Sequence, residues 1–276
     1  MELSMMQTAM VSGVSLAYEV RGSGEPLVLS HCSFVADAFA PLMDQPALSS
    51  YQLIRYHRRG WGRSTHAAGP VSFADQAADL GGLLDHLGVR RAHVASHSLS
   101  GLIALHLAAE RPELVGSVAL LEIPLVRYVD EPFVQAMLQR MADGYQRCRD
   151  GDREGALDGM LTPLFGPGYR AVLERAVPGS WALAVQDADT FFAIERPAIP
   201  EWSYGAAQAA RVTAAVLSLI GTESQPATAK FEAVVRSWFP RLESGRVAGV
   251  NHLMQLQRPE PVAEAIATFL ARHPLR

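Results

Sequence analysis

The stretch "HVASHSLSGLIALHLA", residues 93–108, runs from a strand through a sharp turn into a helix that Pro112 closes, with Ser98 at the join and a serine two positions to either side. A serine there has two readings. It can be the N-cap of the helix, satisfying one of its free amides. It can also be a nucleophile lifted by the turn into a site where the helix dipole favours developing negative charge. The neighbouring segments have to discriminate between them.

Working outward, "PLVLSH" (26–31) is a short continuous apolar run, as suits a strand buried on both faces, and "YQLIRYHRRGWGRS" (51–64) is a second strand ended by glycines. "SFADQAADLGGLLDHLG" opens with a capping box, Ser72 with Asp75, and places Phe73, Ala77, Leu80, Leu84 and Leu87 at helical spacing. "VGSVALLE" (115–122) reads as the next strand. From 126 to 205 the pattern is helix after helix, with no strand between. Alternation resumes at "AAVLSLIG" (214–221), continues through "GRVAGVNH" (245–252), and closes on a helix with Val262, Ile266, Phe269 and Leu270 on one stripe. Alternating strands and helices predict an α/β fold, a mostly parallel sheet flanked by helices. Its core is expected over 1–125 and 206–276, with 126–205 an inserted all-helical cap.

The 276 residues are 49% hydrophobic and 19% charged, with a formal net charge of −4, which gives no electrostatic reason to expect nucleic acid or an anionic membrane as partner. No apolar window is long enough for a membrane span, and the N-terminal "MELSMMQTAMVSGVSLAYEV" lacks the pattern of a leader. Cys32 and Cys148 make no disulfide framework. Together these point to a cytoplasmic protein with reduced thiols and a small-molecule substrate, and leave monomer and homodimer both open. The nine histidines show no spacing for a metal, and no cofactor is expected.

The segment Ser96-His97-Ser98-Leu99-Ser100 resembles the nucleophile elbow of the α/β-hydrolase superfamily, normally written G-x-S-x-G, with serine at both glycine positions. Three further segments resemble that family in the same order. "GVSLAYEVRGSGEPLVLSHCS" is similar to its first strands and His-Gly oxyanion loop, with Cys32 in place of the glycine. "YHRRGWGRS" resembles its Asp-x-Arg-Gly-x-Gly-x-Ser segment, with His57 where aspartate is usual, and "GVNHLMQLQRPEPVAEAIATFL" resembles its histidine loop and last helix.

The resemblance implies Ser98 as nucleophile and His252 as base, in the chain order of that fold. Its usual acid position holds Ser224, which cannot carry the negative charge that orients a histidine. Glu122, at the end of the preceding strand, is where some branches of the superfamily place the acid, and it is the expected one; Glu223 is the alternative. The resemblance also implies the amides of Leu99 and Ser33 as oxyanion donors. Cys32 is expected to be a small buried filler, and His31 and His97 to support the site from behind. The insert's aromatics, Phe191, Phe192, Trp181 and Trp202, suggest an apolar cleft, most of them as packing between insert and core, with Phe34, Phe192 and Trp202 as the expected substrate contacts. Glu195 is expected either near the cleft or in a salt bridge holding insert to core.

These expectations amount to a cofactor-independent serine hydrolase acting on a small, largely apolar ester or lactone. Hydrolysis of an activated C–C bond by the same residues is the nearest rival. A non-hydrolytic lyase or ligand-binding protein of this fold is the more distant one, favoured by Ser96, Ser100 and Cys32.

Overall fold

Apolar runs of six or seven residues become the inner strands of one sheet because burial on both faces requires every backbone group to be paired within the ladder. The computed structural model describes residues 6–275; residues 1–5, the start of the stretch read above for a leader, and residue 276 lie outside it. Among the described residues the strands are β1 (Gln7–Val11), β2 (Val14–Arg21), β3 (Glu25–Ser30), β4 (Tyr51–Tyr56), β5 (Ala92–His97), β6 (Val115–Leu121), β7 (Ala215–Gly221) and β8 (Glu243–Val247). Their order across the sheet is β1-β2-β4-β3-β5-β6-β7-β8. The β1–β2 and β2–β4 pairs are antiparallel and the rest are parallel. The α/β fold expected from the alternation is the one observed.

Side chains of β3 show how the sheet divides its core. Leu27 and Leu29 join one buried cluster with Ala95, Ala119 and Leu217, while Val28 joins the other with Ile54 and Val94. Helices α1 (Phe73–His86) and α2 (Ser100–Glu110) belong to the Val28 face. The capping box forms as read: the Ser72 hydroxyl accepts the Asp75 amide at 3.0 Å and the Asp75 carboxylate accepts the Ser72 amide at 3.0 Å.

Between β6 and β7 the regular elements are all helical. Helices α3 (Pro132–Arg149) and α4 (Arg153–Phe165) pack on each other, followed by α5 (Tyr169–Ala176), α6 (Ser180–Gln186), a π-helical segment Thr190–Glu195, and a short α7 (Ala206–Ala209). After β7 come α8 (Ala227–Trp238), α9 (Met254–Gln257) and α10 (Pro259–Arg272). Val262, Ile266, Phe269 and Leu270 of α10 pack on the Leu27 face. None of the described helices is long and apolar enough to cross a membrane.

Candidate active site

β5 ends at His97 and α2 begins at Ser100, so Ser98 and Leu99 alone must turn the chain. Ser98 does so at φ 58°, a left-handed backbone that costs a non-glycine residue about 1–3 kcal/mol and persists only where its surroundings impose it. Here its amide donates to the Leu121 carbonyl at 2.9 Å and its carbonyl accepts the Gly101 amide at 2.9 Å. The N-cap of α2 is Leu99, with no side-chain cap bond, so Ser98 does not do the capping job. Close packing behind the turn falls to Gly101, where a Cβ would stand 2.9 Å from Ile123 Cγ1. Ser96 and Ser100 are fully buried, and the Ser100 hydroxyl donates to the His31 carbonyl.

His252 lies in the turn between β8 and α9, 2.8 Å through Nδ1 from Glu122 Oε2. The Glu122 side chain is 0% exposed, and its backbone is also left-handed at φ 49°. Its other oxygen accepts the Gly221 amide at 2.8 Å and the Ser224 hydroxyl. A buried carboxylate needs such donors to stay ionised. Ser224, standing where the family's usual acid would be, is thus one of the donors to the Glu122 carboxylate. Glu223 is exposed and does not line the cavity described below. The His252 ring sits 5.6 Å from Phe165, nearly parallel at 12°, and 4.5 Å from His97. Burial pushes the His97 imidazole well below its usual range, helped by the nearby His252, so no like charge opposes a proton on His252.

The loop after β3 is fastened from several sides. His31 Nε2 accepts the Arg58 amide at 2.9 Å, and its Nδ1 lies 2.6 Å from the Cys32 carbonyl. The His31 carbonyl also takes Arg58 Nε at 3.2 Å. Burial, then the charge of Arg58, pushes this histidine well below its usual range and keeps it neutral. The Ser33 hydroxyl donates to Glu195 Oε2 at 2.7 Å, and Phe34 has φ 72°. Among the described residues, no acceptor takes the amide hydrogen of Leu99 or of Ser33. Burial raises the Cys32 thiol to about 12, so it is a neutral filler, as expected.

Ser98, Leu99, Ser33, Phe34, Glu122 and His252 line one cavity of about 80 Å³. Its far wall comes from the helical insert: Phe133, Met137 and Met141 on one face of α3, and Met160, Leu161, Leu164 and Phe165 on α4. Gln225 and Thr228 add two polar groups, and no Lys or Arg is among the lining residues.

Residues 26–259 match the family model described as the alpha/beta hydrolase fold. The chain belongs to the alpha/beta hydrolase fold family. Among curated relatives, RutD of Azorhizobium caulinodans, whose name provisionally assigns it carbamate hydrolysis, is 36% identical over 105 residues, covering 38% of this chain and 40% of that one. The match thus spans well under half of either protein. Solved structures similar over nearly the full length include a thermophilic esterase from Thermogutta terrifontis, with TM-score 0.80 and 21% identity over 98% of this chain and 100% of the other. The enol-lactonase from Burkholderia xenovorans LB400 superposes with TM-score 0.78 and 23% identity over 96% and 100%. At those identities the likeness is one of fold.

Within this alpha/beta hydrolase the residues singled out from sequence fare unequally. Ser98, His252, Glu122, Leu99, Ser33 and Phe34 converge on the cavity. Phe192 and Trp202 do not line it. Phe191 takes the place expected of Phe192, which packs against Gly144 of α3, where a Cβ would meet its ring at 2.2 Å. Trp202 stacks on Tyr204 at 5.2 Å, beside Tyr128 and Trp238. Trp181 lies against Arg170 and Tyr169. Glu195 takes the salt-bridge alternative, paired with buried Arg58. His57, in the family's aspartate position, donates through Nε2 to Asp37 at 3.0 Å, because the Arg63 amide already occupies Nδ1 at 3.0 Å. The α3 and α4 lining residues went unnoticed as a site, although Phe133, Met137 and Met141 stand four apart, the spacing of one helix face.

Proposed function

We propose that the protein is a serine hydrolase cleaving a small, neutral, largely apolar ester or lactone through an acyl-enzyme. The observation that carries this reading is the strained Ser98 backbone in the same cavity as the buried Glu122–His252 pair. A hydroxyl is almost never ionised near neutral pH, so attack needs a base. With Nδ1–H given to Glu122, His252 presents Nε2 as that base. Ser98 Oγ adds to the substrate carbonyl as its proton passes to His252. The oxyanion takes hydrogen bonds from the unpaired Leu99 and Ser33 amides. Collapse of the tetrahedral adduct expels the alcohol, which leaves with the proton from His252. Water, deprotonated by His252, then repeats the sequence on the acyl-enzyme and releases the acid and Ser98. Side chains and backbone amides suffice for every step.

The lining supports the substrate class. A carboxylate carried into a cavity with no cationic wall would lose its hydration without a partner, which costs several kcal/mol. Neutral substrates meet no such penalty. This disfavours acidic ring-cleavage products among the C–C substrates, while neutral β-diketones stay compatible.

Intact-mass labelling with a fluorophosphonate tests the reading. One adduct is expected on the wild type, lost in Ser98→Ala and His252→Ala, greatly slowed in Glu122→Gln and unchanged in Glu223→Gln. A folded wild type that takes no adduct would sink the hydrolase reading and favour a lyase or binding role. Turnover of a neutral diketone in preference to esters would move the assignment to C–C hydrolysis.

A further inference from the structure

The Ser33 hydroxyl does not point its hydrogen at the cavity; it is spent on Glu195, a residue 162 positions away at the end of the π-helical segment of the insert. Glu195 is itself held by Arg58 Nη1 and, at 3.2 Å, by Trp61 Nε1. The Arg58 and Glu195 side chains are each 1% exposed. If Glu195 served only to anchor the insert, Arg58, Trp61 and the bond from Thr190 Oγ1 to the Gly60 carbonyl at 2.6 Å would already do so. The contact with Ser33 adds something different: it restrains the one residue of the loop whose amide must face the reacting carbonyl. A bare carboxylate so near an oxyanion would oppose it, and the Arg58 guanidinium cancels that charge.

We propose that Glu195 is a positioning residue for the oxyanion hole, holding the Ser33 amide in line with Ser98 through the Ser33 hydroxyl. This rests on the serine-hydrolase reading above. The oxyanion donor pair is thereby complete only when the insert is docked, since one arm of the restraint is carried by the insert and the other by the loop after β3.

The test uses the full chain with p-nitrophenyl butyrate as substrate and phenylboronic acid as a tetrahedral mimic, on Ser33→Ala, Ser33→Thr and Glu195→Gln. Misplacing one donor by about an ångström is expected to cost Ser33→Ala about 10- to 100-fold in kcat, with KM within about threefold, in a variant that stays folded at the assay temperature. The boronate should weaken by a similar factor, because it alone occupies the oxyanion position. Ser33→Thr, which keeps the hydroxyl, should recover kcat to within about fivefold of wild type. Glu195→Gln leaves Arg58 buried without its counter-charge, and if that variant fails to fold Ser33→Ala still decides, since it leaves the ion pair intact. Where Glu195→Gln folds, the Ser33→Ala/Glu195→Gln double variant should lose no more kcat than the worse single one. A labelled, active wild type with an indifferent Ser33→Ala overturns this inference alone. An unlabelled wild type overturns the hydrolase reading beneath it.

Discussion

The family's usual acid position, 224, holds a serine here, and a carboxylate stands at 122 instead, an arrangement with a local cause. A carboxylate at the end of β6 reaches Nδ1 of His252 at 2.8 Å, and a serine after β7 donates to the same carboxylate. Aspartate at 224 would instead set two negative charges side by side in a buried place, where one must take up a proton. Ser224→Asp alone is therefore expected to lower kcat, by about 10-fold or more, because the protonated partner no longer orients His252. In a Glu122→Gln background the same change should act in the opposite sense. Glu122→Gln is expected to lose about 10³- to 10⁴-fold in kcat, and adding Ser224→Asp should regain at least about 10-fold of it. Steady-state rates of the three variants check this. A double variant no better than Glu122→Gln would show that position 224 cannot reach the base. That Ser98, Glu122 and His252 meet at one cavity was legible from the chain, because Ser98 and Glu122 directly follow β5 and β6 and His252 stands in the turn between β8 and α9, where the order of elements sets the position.

Among the helices that line the cavity, α4 is tied to the core near its C-terminal end. Helix ends leave carbonyls without partners. Two near the end of α4 are taken by core side chains: Pro163 O by Gln225 Nε2 at 3.2 Å, and Phe165 O by Asn251 Nδ2 at 3.1 Å. Asn251 also accepts the Leu253 amide at 3.0 Å, so the same residue steadies the turn that carries His252. Opposite this wall, Phe133, Met137 and Met141 of α3 line the cavity, and under the proposed function they would set the depth available to an acyl group. Met141→Ala should lengthen the cavity, and one methylene in an apolar pocket is worth about 1–3 kcal/mol of discrimination. The ratio of kcat/KM for hexanoyl over butyryl ester is accordingly expected to rise about 10-fold or more. An unchanged ratio in a folded variant would place the acyl end of the site away from α3. The Phe191–Phe192 exchange belongs here too. Adjacent residues on a helical segment point to different sides, and in a π-helical turn the angle between them departs from the α-helical value. No apolar count along the chain can say which of two neighbouring phenylalanines faces in.

Buried neutral histidines tie the stability of the fold to pH. Burial pushes both His31 and His97 well below the usual imidazole range. The unfolded chain binds protons at these residues below about pH 6.5 while the folded protein refuses them, so stability is present above that value and lost as pH falls beneath it. The slope is about 1.4 kcal/mol per pH unit for each histidine. Burial lowers His93 and His106 as well, so melting temperature is expected to stay level from pH 8 to 7 and to fall between pH 6 and 5, with His97→Gln lessening the loss without abolishing it. A level profile down to pH 5 in calorimetry would mean these imidazoles accept protons in the folded state. The carboxylates act in another window: burial would raise Asp37, but the His57 hydrogen bond and the Arg55 charge hold it below the usual range, so its contribution is lost only in stronger acid.

Local patterning was enough for the strand–helix alternation, the capping box at Ser72, the helical character of 126–205 and the places of Ser98, Glu122 and His252 in the turns that follow strands, because each follows from periodicity and element order within a few residues. What waited for the folded chain were pairings across long separations: His57 with Asp37, Ser224 with Glu122, Ser33 with Glu195, and Ser100 with the His31 carbonyl. Three departures from the family's usual residues, His57, Ser100 and Ser224, are met by partners 20 to 102 positions away in sequence. Such partners are chosen by the way the insert and the strand-end loops close over one another, and hydrogen-bond reach is about 3 Å, far finer than any spacing rule along a chain.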